Sequence, residues 1–261
     1  MGILLLKGTI CVKILKITLS LLFLYFIYWA FGDTFFDRLF PFSPDGKKQL
    51  ITVEGVVPKY TKPYVSAQYI SKDCLRYQLD AGMSPYQVPT YYGLDLDVKA
   101  DPQTGYFQAK LPFNGGGWCK WKINQAFVAV GYTDVSHLVK DAVPSSGPGL
   151  AAFINDAART NYSEASETRA LNTINFSPVI YPVLKMVEGR PNRVSLQGVV
   201  DLFPFRLKLV PGAEWKITFK PKLDETKMPK ITVTNGRGEW VEYPDGRIDL
   251  HRQTIDYWKI K

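Results

Sequence analysis

Only two histidines, His137 and His251, occur in 261 residues, which narrows acid–base and metal mechanisms sharply. His137 follows Ser136, and neighbours in a chain rarely form a nucleophile–base pair. The sequence contains no G-x-S-x-G elbow, H-E-x-x-H, P-loop or G-x-G-x-x-G. Asp95 and Asp97 alternate along one strand pattern and point the same way, as paired catalytic carboxylates would. The same alternation describes a solvated strand face, so no catalytic residue is assigned and the chain reads as a non-enzyme. His251, in the run Asp249-Leu250-His251-Arg252, reads as a surface or strand-edge residue. No cofactor is expected.

Of the three cysteines, Cys11 lies in the N-terminal segment, and Cys74 and Cys119 lie in strand-like patterns further on. Outside the cytosol such a pair usually oxidises. The bridge would close a loop of roughly 46 residues, worth roughly 4 kcal/mol in loop-closure entropy. The alternative is two buried free thiols. A zinc site is disfavoured, because two distant cysteines without a neighbouring histidine are not a ligand set.

With catalysis set aside, aromatic recognition remains. Tyr60, Tyr64, Tyr69, Tyr77, Tyr86, Tyr91 and Tyr92 crowd one stretch, and most serve a core or sheet edge by default. The run Ser84-Pro85-Tyr86-Gln87-Val88-Pro89-Thr90-Tyr91-Tyr92 is broken by prolines and cannot be a central strand. Read as a loop, it offers Tyr86, Tyr91 and Tyr92 as partner-binding residues, since tyrosine is large, stiff and half polar.

What positions these residues begins with the N-terminus. Ile17 to Phe31 is free of charge. Extended back to Ile14 it gives roughly 27 Å of helix, enough to cross a bilayer if Lys16 snorkels. Tyr25, Tyr28 and Trp29 sit at its far end, where amphipathic rings favour the interface. Lys7, Lys13 and Lys16 sit at its near end, and Asp33 and Asp37 follow it. The expectation is a cytoplasmic tail (1–13), a transmembrane signal anchor (14–32) and a stalk (33–50), with the remainder across a bacterial inner membrane in the periplasm. A cleavage site is disfavoured, since bulky Trp29 and Phe31 flank the only nearby alanine. Cys11 precedes the apolar run and so does not form a lipobox, and Leu6 stands where N-myristoylation wants Ser or Thr. The net charge is +8; without the three N-terminal lysines 29 basic groups face 24 acidic ones. That mild excess, with no Arg/Lys-rich helix, excludes nucleic acid and suits an acidic protein or an anionic membrane surface.

The remaining sequence is mainly β. Leu94 to Lys99 alternates apolar and charged. Phe107, Ala109 and Leu111 share a face, as do Cys119, Trp121 and Ile123, and Phe127 to Val130 is a buried run. Glu214 to Lys220 places Trp215, Ile217 and Phe219 inward. Asn114-Gly115-Gly116-Gly117, Asn235-Gly236 and Pro244-Asp245-Gly246 are turns. Leu150 to Arg159 is expected to be a short helix within a linker (144–174) between a first β domain (51–143) and a second (175–261). One or two antiparallel, immunoglobulin-like β-sandwich domains are therefore expected. Asn161 and Asn175 each begin an N-x-S sequence, meaningful only in a glycosylating compartment.

The run Gly115-Gly116-Gly117-Trp118-Cys119-Lys120-Trp121-Lys122-Ile123, with Tyr69-Ile70-Ser71-Lys72-Asp73-Cys74 upstream, resembles a group of bacterial envelope proteins. These are encoded beside type VI secretion lipase effectors and act as their immunity proteins. The likeness covers about residues 50–135 and carries no site residues over; many such proteins are lipoproteins, and this chain departs in lacking a lipobox. The resemblance implies a tethered scaffold that blocks a secreted phospholipase. Two other readings stand beside it, a structural component of an envelope machine and an anchored envelope hydrolase.

Overall fold

The computed structural model describes residues 15–28, 39, 41–44, 49–154, 167–169, 172–198, 202–207, 214–236 and 238–260. The described strands run in order β1 (Leu50–Val56), β2 (Thr61–Leu79), β3 (Pro85–Leu96), β4 (Tyr106–Pro112), β5 (Asn114–Gly116), β6 (Trp121–Tyr132), β7 (Val143–Pro144), β8 (Gly149–Ile154) and β9 (Glu167–Arg169). They continue with β10 (Thr173–Phe176), β11 (Val179–Val187), β12 (Arg193–Gly198), β13 (Leu202–Leu207), β14 (Trp215–Phe219), β15 (Lys222–Leu223), β16 (Lys230–Thr234), β17 (Gly238–Glu242) and β18 (Ile248–Leu250). A 3-10 turn, Tyr257–Lys259, follows. The protein is mainly β, as expected.

Three sheets form. One has the order β10-β14-β1-β4. The second runs β18-β17-β16-β11-β12-β7, with β15 also on β11. The third runs β3-β2-β6-β8-β13-β9, with β5 also on β6. Antiparallel ladders dominate the hairpins, and parallel pairs stitch distant segments together, β1 to β14 and β8 to β13 among them.

Strand alternation follows side-chain chemistry. In β14 Trp215, Ile217 and Phe219 are buried while Lys216 is exposed. In β4 Phe107, Ala109 and Leu111 point inward. The main core takes Ile51, Val53 and Leu111 from the first half of the chain and Leu196, Trp215 and Phe219 from the second. β11 has a core on each face: Ile180 and Leu184 join the main one, and Tyr181 and Val183 join a smaller one with Ile231, Val241, Tyr243, Ile255 and Ile260. The expected division into β units 51–143 and 175–261 is therefore not the division of the sheets, because β1 and β14 share one.

The short helix expected over 150–159 is corrected: Gly149–Ile154 is a strand buried at all six positions, and 155–159 lie outside the described residues. Strand β8 sits between β6 and β13. A strand inside a sheet covered on both faces becomes a continuous apolar run, and periodicity alone does not separate that from a buried helix.

At the N-terminus, residues 15–28 are helical and exposed throughout, including Leu15, Leu22, Phe23 and Tyr28. Among the described residues no helix is long and apolar enough to cross a membrane. Residues 14 and 29–32 of the expected span, and the expected tail 1–13, lie outside them. So do 33–38, 40 and 45–48 of the expected stalk.

Candidate functional site

Outside the N-terminal helix, exposed apolar side chains gather on the outer part of the β2–β3 hairpin, and that hairpin is built from its base upward. The ladder shifts register between Ser71 and Leu75. In that bulge the buried Ser71 hydroxyl donates to the Cys119 carbonyl at 2.6 Å and accepts the N–H groups of Cys74 at 2.9 Å and Asp73 at 3.2 Å. Cys74 and Cys119 form a disulfide with Cα atoms 5.2 Å apart. It ties the bulge to the turn that follows Gly117. The Thr90 hydroxyl donates to the Cys74 carbonyl, fixing the returning strand as well. Lys120 meets Asp73 at 3.3 Å, an exposed pair that contributes little.

Beyond this base the hairpin stands out as an arm. Its turn is closed by the Asp80 carboxylate, which accepts the N–H groups of Gly82 and Ser84, both at 2.8 Å. Directly opposed residues in an antiparallel ladder share a face. Leu75 opposes Pro89, Tyr77 opposes Gln87 and Leu79 opposes Pro85. That face is apolar apart from Gln87: Tyr77 is 68% exposed and Leu79 56%. The other face carries Arg76 opposite Val88 and Gln78 opposite Tyr86, whose hydroxyl donates to Gln78 at 3.2 Å. Met83, 73% exposed, forms the tip.

The proline-rich run 84–92 is thus corrected from a loop to a strand, β3, at the edge of its sheet. An edge tolerates proline because the missing N–H faces away from the ladder. The three sequence-proposed tyrosines do not converge. Tyr86 and Tyr91 fall on opposite faces of β3, and Tyr92 opposes buried Tyr69 and packs against the main core. Leu75, Tyr77, Leu79 and Met83 were missed. Their signal was present as an alternating Leu75-x-Tyr77-x-Leu79 followed by Asp80-Ala81-Gly82, a strand running into a turn.

Next to the arm's base the chain arriving from the N-terminal helix is strapped down. Ser43 donates its N–H to the Gly115 carbonyl at 2.9 Å. The Phe42 ring stacks on Tyr92 with centroids 4.8 Å apart and meets Tyr69 edge-on at 4.6 Å. Gly115 has to be glycine because a Cβ there would collide with the Phe42 ring and with Trp121. Gly116 and Gly117 adopt φ of 59° and 68° and let the Ser43 and Pro41 carbonyls approach. The floor beneath is buried Tyr69, whose hydroxyl donates to the Pro112 carbonyl at 2.7 Å and whose phenol is pushed up by burial. The triple glycine of the sequence motif is thus a seat for residues 41–44.

Comparison with known protein families, curated proteins and solved structures finds no match.

The remaining sequence candidates are placed as follows. The Ser136 hydroxyl is committed to Asp134 at 2.9 Å, away from the neighbouring imidazole. His137 lies 3.0 Å from the Glu225 carboxylate, and the Tyr132 hydroxyl donates to the same oxygen at 2.9 Å. Tyr60 stacks on the His137 ring at 4.2 Å. Burial and the Glu225 charge push the Tyr132 phenol up. This cluster bridges the loop after β6 to the loop after β15. Asp95 and Asp97 are exposed at the end of β3, His251 is exposed just after β18, and Asn175 is exposed in β10. Asn161 lies outside the described residues. Among the described residues no three His, Cys, Asp or Glu side chains are grouped to hold a metal.

Proposed function

We propose that this chain is a membrane-tethered binding protein of the bacterial periplasm, anchored through residues 14–32 with its N-terminus in the cytoplasm. In this reading it neutralises a secreted toxin, a type VI secretion phospholipase effector, by covering it. The observation that carries the reading is the β2–β3 arm: a long edge strand with an open side, presented on a base fixed by a disulfide, a buried hydroxyl and an aromatic plug. Rigid presentation lowers the ordering cost of binding. The partner surface is the open edge of β3, where a strand of the toxin can add, with the arm face bearing Arg76, Gln78, Tyr86 and Val88.

Other features support the same reading. The helix over 15–28 is exposed along its whole length and is apolar at every position except Lys16, Thr18 and Ser20. Such a helix is expected in a lipid or protein interior. The disulfide suits an oxidising compartment. The finer fold reading carried here is a sandwich, with the main core between stacked sheets; immunoglobulin-like connectivity is not needed for it. The role needs no catalytic group and no cofactor, and tethering raises the local concentration where a membrane-attacking lipase works.

The test is capture of partners by the whole detergent-solubilised chain, with the lipase activity of the captured effector as readout. A stoichiometric loss of that activity supports neutralisation. Tyr86→Arg is expected to weaken capture at least tenfold, about 1.4 kcal/mol. Capture of envelope-machine subunits with lipase activity untouched would instead favour the assembly reading, which the open edge of β3 also accommodates.

A further inference from the structure

The apolar face of the arm is not used by that reading, and it has its own logic. Leu75, Tyr77 and Leu79 recur at every second residue on one face of β2, with Tyr91 on the same face of β3. Exposing Tyr77 and Leu79 to this extent on a slender hairpin is costly in water, and the arm has no further layer to bury them. At the arm's base the same face carries exposed Lys122, which opposes Ile70, which in turn opposes Tyr91, and exposed Lys72 lies in the adjoining bulge. Of the acids nearby, Asp73 is engaged by Lys120, and Asp80, in the turn at the arm's tip, accepts the Gly82 and Ser84 N–H groups. Asp95 lies on that face too, opposite Ser66 and about 13 Å further from the arm along β3. A tyrosine–leucine strip with lysines at its root matches the interfacial layer of a bilayer: rings and aliphatic groups among the acyl boundary, ammonium groups at the phosphates.

Where the chain enters the domain points to the same occupant. Residues 41–44 are seated on Gly115 to Gly117, beside the disulfide that forms the arm's base. Between Tyr28, at the end of the described helix, and Pro41 the backbone reaches at most about 45 Å even when fully extended. The arm reaches on the order of 15 Å beyond its base, and the interfacial layer is roughly 5–10 Å deep. The tether keeps the domain within reach of the membrane surface, and the strap enters it at the end that carries the arm.

We infer that the Leu75–Tyr77–Leu79 face and the Met83 tip of the arm lie in the headgroup layer of the same bilayer that holds the N-terminal helix, and favour anionic lipid. The inference rests on the anchored reading of residues 14–32.

The test uses the full chain in a Cys11→Ser background, reconstituted into phosphatidylglycerol-containing vesicles. A fluorescent label is placed at Leu79→Cys or, as a distant reference in the turn after β11, at Arg190→Cys. Lipids carrying a nitroxide at headgroup level serve as quencher, and flotation of the same vesicles reports anchoring. The arm label is expected to be quenched at least twofold more than the reference, with the difference shrinking in purely zwitterionic vesicles. Flotation with equal quenching at the two sites overturns the inference and leaves the anchor standing. Failure to float overturns the anchored reading itself. Shielding of the Leu79 label only when a captured protein is added assigns the face to that protein and also overturns the inference. Tyr77→Ser with Leu79→Ser serves as a folded control, expected to float normally and to return a Met83→Cys label to reference quenching.

Discussion

Phe42 shows how much one side chain can settle. Read in sequence, Pro41-Phe42-Ser43-Pro44 is stalk; in the fold its ring closes an aromatic cluster over Tyr69, Tyr92 and Gly115. A partly buried ring forfeits less than the 3–5 kcal/mol of a core phenylalanine. Phe42→Ala is therefore expected to cost roughly 1–2 kcal/mol in urea denaturation, with faster hydrogen exchange at Tyr92 and Gly115. Gly115→Val is expected to cost more, since its branched side chain must displace both the ring and Trp121; equal stability would mean that the seat is not occupied in solution. Nothing local in the sequence announces this seat, because the residues that define it are more than 70 positions apart, and a glycine run is read first as a turn. Ser71 was equally hidden: a buried hydroxyl that organises a bulge has the same letter as a surface serine. The cysteine pairing, by contrast, was legible: two cysteines in strand patterns, with no metal partner and with export expected, leave few alternatives.

Among the elements, legibility followed burial on one face. Strands β4 and β14 have one face in the core and one in water, and their alternation could be read directly. Strand β8 is covered on both faces and lost its period, and Ala151 and Ala152 lent it a helical composition. Strand β3 was hidden by Pro85 and Pro89, which exclude a central strand but not an edge. The disulfide acts at this scale, joining β2 to the turn before β6 across 45 residues. Cys119→Ser is expected to destabilise the domain by roughly 4 kcal/mol under non-reducing conditions. Labelling of Cys74 in the native wild type by a thiol reagent would contradict the bridge.

The C-terminal segment is a second latch. Lys259 donates to both oxygens of Asp249 at 2.6 and 2.7 Å, and the Tyr243 hydroxyl donates to Asp249 at 3.0 Å. The Lys259 ammonium first, and the Tyr243 hydroxyl after it, hold the Asp249 carboxyl below the ordinary carboxylate value of about 3.9. The latch is therefore complete above that pH, and its contribution disappears as pH falls through the lower folded value. Amide exchange of residues 255–260 is expected to quicken in that acidic window, and Asp249→Asn is expected to quicken it already at neutral pH and remove the acid step.

For the whole molecule, the sequence left open whether the two β halves share a core, and in the fold β1 pairs with β14 across them. The silence has a plain cause: parallel pairing of remote strands leaves no mark in either strand's own pattern. The placement of the strap has a consequence for engineering. Removing residues 1–40 keeps Phe42 in place and is expected to give a domain as stable as the parent, whereas removing 1–48 takes the plug away and is expected to cost what Phe42→Ala costs. Comparing the two in thermal denaturation separates the strap from the helix. In intact spheroplasts, added protease is expected to cut exposed turns such as Pro244 to Gly246; protection until lysis would invert the proposed orientation.

The parallel ladder from Ile51↔Trp215 to Gly55↔Phe219 makes the first strand wait for one of the last. At roughly 5–20 residues per second of synthesis, some ten to thirty seconds separate the two. During that interval β1 has β4 for company but an open flank, a vacancy that a chaperone or a second nascent chain can fill before Trp215 emerges. Yield on expression should therefore respond to the tempo of translation between codons 56 and 215 more than to the thermodynamic stability of the finished protein.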